Sequence, residues 1–142
     1  MSAINTKEIL KTFNLDEHNS IVIGSGILQA LGIRPSNDID LVVTNDIYAS
    51  LKDSGSFKVT ENHGREILAG DRLEIGADWF VLGKSYTFTD LEAVSTVIDG
   101  VRYNSLDFLL QVKQSWVLHD AVVRQKDIDD VKLIKLHLGL TS

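Results

Sequence analysis

At 142 residues, 44% hydrophobic and 24% charged, the chain is sized for one globular domain over residues 1–142 and leaves no room for a second. Lys and Arg total 14 against 20 Asp and Glu, a formal charge of −6, which argues against a sequence-blind grip on duplex DNA or other phosphate backbones. Cysteine is absent, so disulfides, thiol nucleophiles and thiolate metal sites are excluded, and with four His any metal chemistry must rest mainly on carboxylates. The segment from Met1 to Phe13 has no apolar stretch of signal-peptide length, and no window approaches the ~18 apolar residues of a membrane span. The expectation is a cytoplasmic protein with no membrane contact.

The only proline is Pro35, and no repeat or low-complexity tract marks a linker. Asn5 or Thr6 can cap a first helix through about Leu15, with Ile9, Leu10 and Phe13 spaced to face a core. Ser20 to Ile23 is a short apolar run that stops at Gly24-Ser25-Gly26, after which Ile27, Leu28 and Leu31 predict a helix ended by Gly32. Asp38 to Thr44 alternates and is β-branched, so a second strand is expected, followed by a helix from Asn45 or Asp46 through Leu51. Phe57 to Thr60 and Arg72 to Phe80 read as further strands. Asp99-Gly100, between two β-type flanks, is the strongest hairpin signal in the chain. Asn104 or Ser105 then caps a helix carrying Leu106, Leu109, Leu110, Lys113 and Val117. A last helix starts near Lys126, carries Ile128, Val131, Ile134 and Leu138, and stops at Gly139. The sum is an α/β (α+β) domain, a mixed sheet with helices around it.

The chemistry concentrates between Ile23 and Leu41. A strand has a side-chain period of two, so Asp38 and Asp40 project from one face while Ile39 and Leu41 enter the core on the other. Two carboxylates so close repel by ~1 kcal/mol in water and ~4 at an effective dielectric near 20, so the pair calls for a cation. Oxygen-only ligands suit Mg²⁺ or Mn²⁺. Gly24 and Gly26 allow close backbone approach, and the backbone N–H groups and Ser25 hydroxyl at a helix start offer donors to phosphate oxygens. Together these features describe a site for a metal and a triphosphate.

The stretch resembles the nucleotidyltransferase superfamily, the polymerase-beta-like group that includes aminoglycoside and lincosamide nucleotidyltransferases, whose signature is an apolar residue, Gly, Gly/Ser, a spacer, then Asp-apolar-Asp. The resemblance implies a nucleotidyltransferase fold and a third carboxylate on a strand beside the Asp-x-Asp strand. Arg72-Leu-Glu-Ile-Gly-Ala-Asp-Trp79 is the candidate segment. Glu74 and Asp78 share parity there but stand ~13 Å apart along an extended strand, so only one can join a metal cluster. Glu74 is favoured because small members of the superfamily look like having an apolar-Glu-Ile segment at this place; Asp78 is the alternative. Ser105 to Lys113 and Arg124 to Asp130 resemble the Leu-x-x-x-Lys and Arg-x-Lys-Asp-x-x-Asp ending of compact relatives. By that resemblance Lys113, Arg124 and Lys126 hold the triphosphate; the plain reading puts Asp127, Asp129 and Asp130 in the first turn of the last helix, with the Lys and Arg on its solvated face. Arg34 and Ser36 resemble the Arg-x-Ser-x-Asp-x-Asp run of antibiotic-modifying relatives, touching phosphate or ordering the loop.

Other signals do not survive inspection. Gly83-Lys84-Ser85 lacks the first glycine of a P-loop, since position 78 is Asp, and Ser25 lacks the glycine two residues earlier that a nucleophile elbow requires. His119 reads as a helix-end histidine, and His63 and His137 as surface residues. Trp79, Phe80 and Trp116 read as core aromatics before base-stacking ones.

The resemblance therefore implies Mg²⁺- or Mn²⁺-dependent transfer of a nucleoside monophosphate from a nucleoside triphosphate such as ATP to an acceptor hydroxyl on a small molecule, protein or RNA. Asp38, Asp40 and Glu74 are the expected catalytic and metal-binding residues, and Gly24, Ser25, Arg34, Lys113 and Lys126 the nucleotide-binding ones. Glu74 or Asp78 is the candidate to take the acceptor proton. The shortness of the chain suggests a homodimer or a partner chain completing the pocket. The rival expectation is a non-catalytic protein of this fold, such as a toxin–antitoxin component or a regulatory subunit.

Overall fold

A computed structural model of the chain describes residues 5–62 and 64–140; the expectation for His63 lies outside them. The elements run α1 (Thr6–Thr12), β1 (Ser20–Ile23), α2 (Gly26–Ala30), β2 (Ile39–Val43), α3 (Asn45–Asp53), β3 (Lys58–Asn62), β4 (Arg65–Gly70) and β5 (Leu73–Gly76). They continue with β6 (Asp78–Val81), β7 (Lys84–Thr87), α4 (Phe88–Glu92), β8 (Ser95–Ile98), β9 (Val101–Asn104), α5 (Leu106–His119) and α6 (Gln125–His137). Among the described residues the strands form a mixed seven-stranded sheet in the order β3-β4-β5-β2-β1-β9-β8, and β6 pairs with β7 in a separate two-stranded sheet. The pairs β1·β9 and β2·β5 are parallel and the rest antiparallel.

Local sequence explains most of these boundaries. The Asn5 side chain accepts from the Glu8 amide at 3.1 Å to start α1, and the Ser105 hydroxyl accepts from the Phe108 amide at 3.1 Å to start α5. Asp99 and Gly100 both have positive φ, 50° and 77°, as a tight turn between β8 and β9 requires. Three differences from the sequence reading matter. β4, β7 and α4 form where no element was expected. The single strand expected over Arg72 to Phe80 is two strands in different sheets, parted at Ala77. The expectation of one core face and one solvent face for the Asp38–Thr44 strand holds only as far as Asp40, because Val42, on the same face two residues on, is fully buried.

Both sheet faces are covered at the centre. Ile39, Leu41 and Val43 of β2 join Val22, Ile27, Leu28, Leu109 and Ile134 in one apolar cluster. Val42 joins Ile21, Val81, Phe88, Leu91 and Val112 in the other. α5 feeds both clusters, which is why it is apolar around most of its circumference. The second cluster ends at Ile23 and Val42, so Asp40 lies where the cover on that face stops. No helix among the described residues is long and apolar enough to cross a membrane.

The first residue of α2 is held against β1 so tightly that a Cβ on Gly26 would lie 2.4 Å from Val22 Cγ1. Gly26→Ala is therefore expected to cost about 1–3 kcal/mol by forcing α2 off the sheet, read as a lower denaturation midpoint in urea.

Candidate active site

The site is assembled by one turn and two parallel strands. β1 ends at Gly24, whose φ of +72° turns the chain sharply into α2; a Cβ there would sit 3.9 Å from Asp40 Oδ2, so the turn passes directly beside that carboxylate. Ser25 is the N-cap of α2 without a side-chain capping bond, which leaves its hydroxyl uncommitted to the cap. Across the sheet Asp40 is the register partner of Glu74, one strand over on β5. Asp38, expected as the first residue of this strand, immediately precedes β2 and lines the same cleft as Asp40 and Glu74.

These residues line a cleft of about 540 Å³. Its other walls carry five cationic side chains, Arg34, Arg72, Lys113, Arg124 and Lys126. Asp40 opens onto the cleft, yet the surrounding protein strips much of its water. That desolvation, with the negative charges of Glu74 and Asp38, pushes its carboxyl up to about 6, against some relief from Lys126. A side-chain hydrogen bond with Glu74 adds to the rise. Among the described residues no three His, Asp or Glu side chains already stand as a ligand set for a metal. The donor chemistry nevertheless fits a hard divalent cation: carboxylate oxygens only, from Asp38, Asp40 and Glu74.

The cations differ in their attachments. Lys113, almost fully buried, donates to Asp127 at 2.8 Å and pairs with Asp130 at 2.9 Å. Arg34 forks onto Asp130 with bonds of 2.7 and 2.8 Å, and Arg124 onto Asp127 at 3.0 and 3.2 Å. Burial alone would raise both carboxyls; the bonds and charges of Lys113 and Arg124 on Asp127, and of Arg34 and Lys113 on Asp130, outweigh it and hold them below the ordinary carboxylate range. Asp127 and Asp130 are therefore buried anchors on α6, and of the three acids expected in its first turn only Asp127 lies there. Asp129 lies between them and accepts from Gln125. Lys126 forms no ion pair among the described residues, and its charge acts on Asp40.

The alternative third carboxylate, Asp78, starts β6. It is held by Arg65 at 2.8 Å and by the Ser85 hydroxyl. Because the strand breaks at Ala77, the shared parity of Glu74 and Asp78 does not survive folding. It is the Trp79 side chain that reaches the cleft beside Asp40 and Glu74. Trp79 and Trp116 meet edge to face at 6.4 Å, half-buried between the second core cluster and the cleft. Of the two readings of Ser36, the structure shows the ordering one: its hydroxyl donates to the Asp38 carbonyl at 3.0 Å, and its amide donates to Gln29. His119 lies in the last turn of α5, and His137 is the exposed last residue of α6.

Sequence reasoning passed over Arg72. It occupies the turn between β4 and β5 with φ +58°, a conformation that costs a non-glycine side chain of order 1 kcal/mol. Its Nε donates to the Asn37 carbonyl at 2.6 Å, tying down the loop that delivers Asp38, and its Nη2 is buried with no partner among the described residues. The available signal was a cation two residues before Glu74.

No family model matches the chain, and no curated protein matches it by sequence. It is similar to a solved structure of ANT(2″)-Ia in complex with adenylyl-2″-tobramycin, with a TM-score of 0.57 at 18% identity, over 94% of this chain and 85% of that one. The chain has the nucleotidyltransferase fold.

Two outcomes follow from the charges. Lys113→Met leaves two carboxylates buried with less compensation and should destabilise the protein by about 3–5 kcal/mol in a denaturant melt. For Asp40 the folded protein holds the proton more tightly than the unfolded chain, so the contribution to stability is full below pH 3.8 and lost as pH rises through about 6. Asp40→Asn should match the wild type near pH 3.5. At pH 7 it should be about 1 kcal/mol more stable, after allowance for screening in an open cleft.

Proposed function

We propose that this chain transfers a nucleoside monophosphate from a nucleoside triphosphate to an acceptor hydroxyl. The observation that carries the reading is the pairing of Asp40 with Glu74 beside the Gly24-Ser25 turn, facing a bank of cations. The shared fold supports it, as does the ligand of the similar structure, in which an adenylyl group is joined to tobramycin.

Asp38, Asp40 and Glu74 would hold Mg²⁺ or Mn²⁺. Such an ion, when bound, polarises the α-phosphoryl group and offsets the charge on departing pyrophosphate. The chain supplies the rest. The Gly24 backbone and Ser25 hydroxyl receive phosphate oxygens. Lys126 supplies positive charge near Asp40, while Arg34 and Arg124, immobilised on Asp130 and Asp127, line the same cleft without losing a fixed orientation. Lys113 acts through those two carboxylates. Glu74 is placed to take the hydroxyl proton.

Pyrophosphate release in the presence of an acceptor should require Mg²⁺ or Mn²⁺ and fall below detection in Asp38→Asn; undiminished release at saturating metal would remove Asp38 from the mechanism. Titrating Mn²⁺ with a non-hydrolysable triphosphate should show weaker binding in Glu74→Gln than in Asp78→Asn, and the reverse order would move the third-carboxylate role to Asp78.

A further inference from the structure

A second cleft, of about 900 Å³, adjoins the first and shares Ile23, Asp40, Glu74, Trp79, Trp116 and Arg124 with it. Its chemistry is the reverse of its neighbour's. The first cleft carries five cationic side chains against three carboxylates, Asp38, Asp40 and Glu74. The second carries five carboxylates, Asp40, Glu74, Asp78, Asp120 and Asp127, against two guanidiniums, Arg65 and Arg124. Those guanidiniums already serve Asp78 and Asp127. With Asp40 and Glu74 at the boundary between the clefts, Asp120 is the carboxylate left without an ion pair among the described residues.

The walls are aromatic and aliphatic. Phe80 is 58% and Val122 83% exposed, and both line this cleft together with Trp79. Large apolar side chains standing in water inside a concavity mark a surface built to be covered. A phosphodiester would meet net negative charge here. An ammonium group would find the Asp120 carboxylate among aromatic side chains.

We propose, resting on the transfer reading above, that the second cleft is the acceptor site and takes a hydroxyl compound with an aromatic or apolar body and an ammonium group. In-line displacement places the nucleophile and the leaving group on opposite sides of the α-phosphorus, and the Asp40–Glu74 pair is common to the two clefts, so a phosphorus held there is within reach of a ligand in either. The acceptor oxygen forms its bond to phosphorus as the bridging P–O bond breaks. That bond's electrons leave with pyrophosphate, and the hydroxyl proton passes to Glu74 and on to water. Phe80 and Asp120 line the second cleft alone, so they govern the acceptor without touching the nucleotide.

The chain's two tryptophans, Trp79 and Trp116, both line this cleft and report its occupancy by fluorescence. Tyramine should quench them saturably and bind about tenfold more tightly than 4-hydroxyphenylacetate, which keeps the ring and hydroxyl but exchanges ammonium for carboxylate. Asp120→Asn should shrink that preference to about threefold or less, and Phe80→Ala should weaken both ligands. Neither variant should alter the rise in melting temperature given by Mg²⁺ with a mixture of the four nucleoside triphosphates. With that mixture, tyramine should gain a nucleotidyl group as pyrophosphate appears. Equal binding of the carboxylate, or labelling of a short single-stranded RNA 3′-hydroxyl that ignores both substitutions, would overturn the proposal. A wild-type protein that gains no stability from Mg²⁺ and nucleotides, yet discriminates tyramine as described, would overturn the transfer reading while the ligand chemistry of the cleft stands.

Discussion

The parallel pairing of β2 with β5 is the constraint on which the site depends. Its register puts Asp40 directly beside Glu74, where desolvation and the neighbouring like charge disfavour the Asp40 carboxylate. The register is held by apolar partners on the opposite face: Ile39 against Leu73 and Leu41 against Ile75, each no more than 4% exposed. Burying four such side chains contributes roughly 1.5–3 kcal/mol apiece, more than the repulsion removes. A slip of one residue would bring every one of them to the cleft and drive the acids into the core. The core thus enforces the juxtaposition that the carboxylates by themselves oppose.

A second constraint fixes the opposite wall. Asp127 and Asp130 are three apart on α6, hence on one face, and both are buried against Lys113 of α5. Buried ion pairs add little net stability compared with apolar packing, but they allow very few arrangements. Here one ammonium and two guanidiniums share two carboxylates, so α5, α6 and the loop from Ile33 to Asn37 are locked together. The cluster keeps one positive charge in excess. That excess lies beside the cleft where Lys126 also stands, which gives a buried network a consequence for what the cleft can hold.

The sequence made the centre of this arrangement legible and its periphery opaque. The Gly-Ser turn and the Asp-x-Asp strand were readable because each residue type is dictated by its chemistry at that spacing. The Asp99-Gly100 hairpin and the Ser105 cap were readable because a local rule decides them. The turns at Asp71-Arg72 and Leu82-Gly83 were not, because a left-handed Arg72 or Leu82 is a conformation that tertiary context must impose. Missing those turns left β4 and β7 unseen, and the break at Ala77, which no turn residue marks, left β5 merged with β6 and the second cleft hidden. The burial of Asp127 and Asp130 was equally hidden: acids near the start of a helix satisfy its dipole in water, and only the position of Lys113 on another helix makes these two interior.

That second cleft also resolves an apparent conflict between an acidic chain and the anionic substrate proposed for it. A net charge of −6 disfavours polyanions at long range, but charges interact over a Debye length of only about 8 Å at physiological salt. What a triphosphate would meet is the local balance, and it differs between the two clefts that share the Asp40–Glu74 pair: five cationic side chains against three carboxylates line the first, five carboxylates against two guanidiniums the second. The same two carboxylates belong to both clefts. They temper the positive cleft, so that a phosphate chain can leave as well as enter, and they deepen the negative one. The contrast is therefore a property of the fold itself, since after the break at Ala77 β6 contributes Asp78 to the second cleft alone while its neighbour Trp79 lines both.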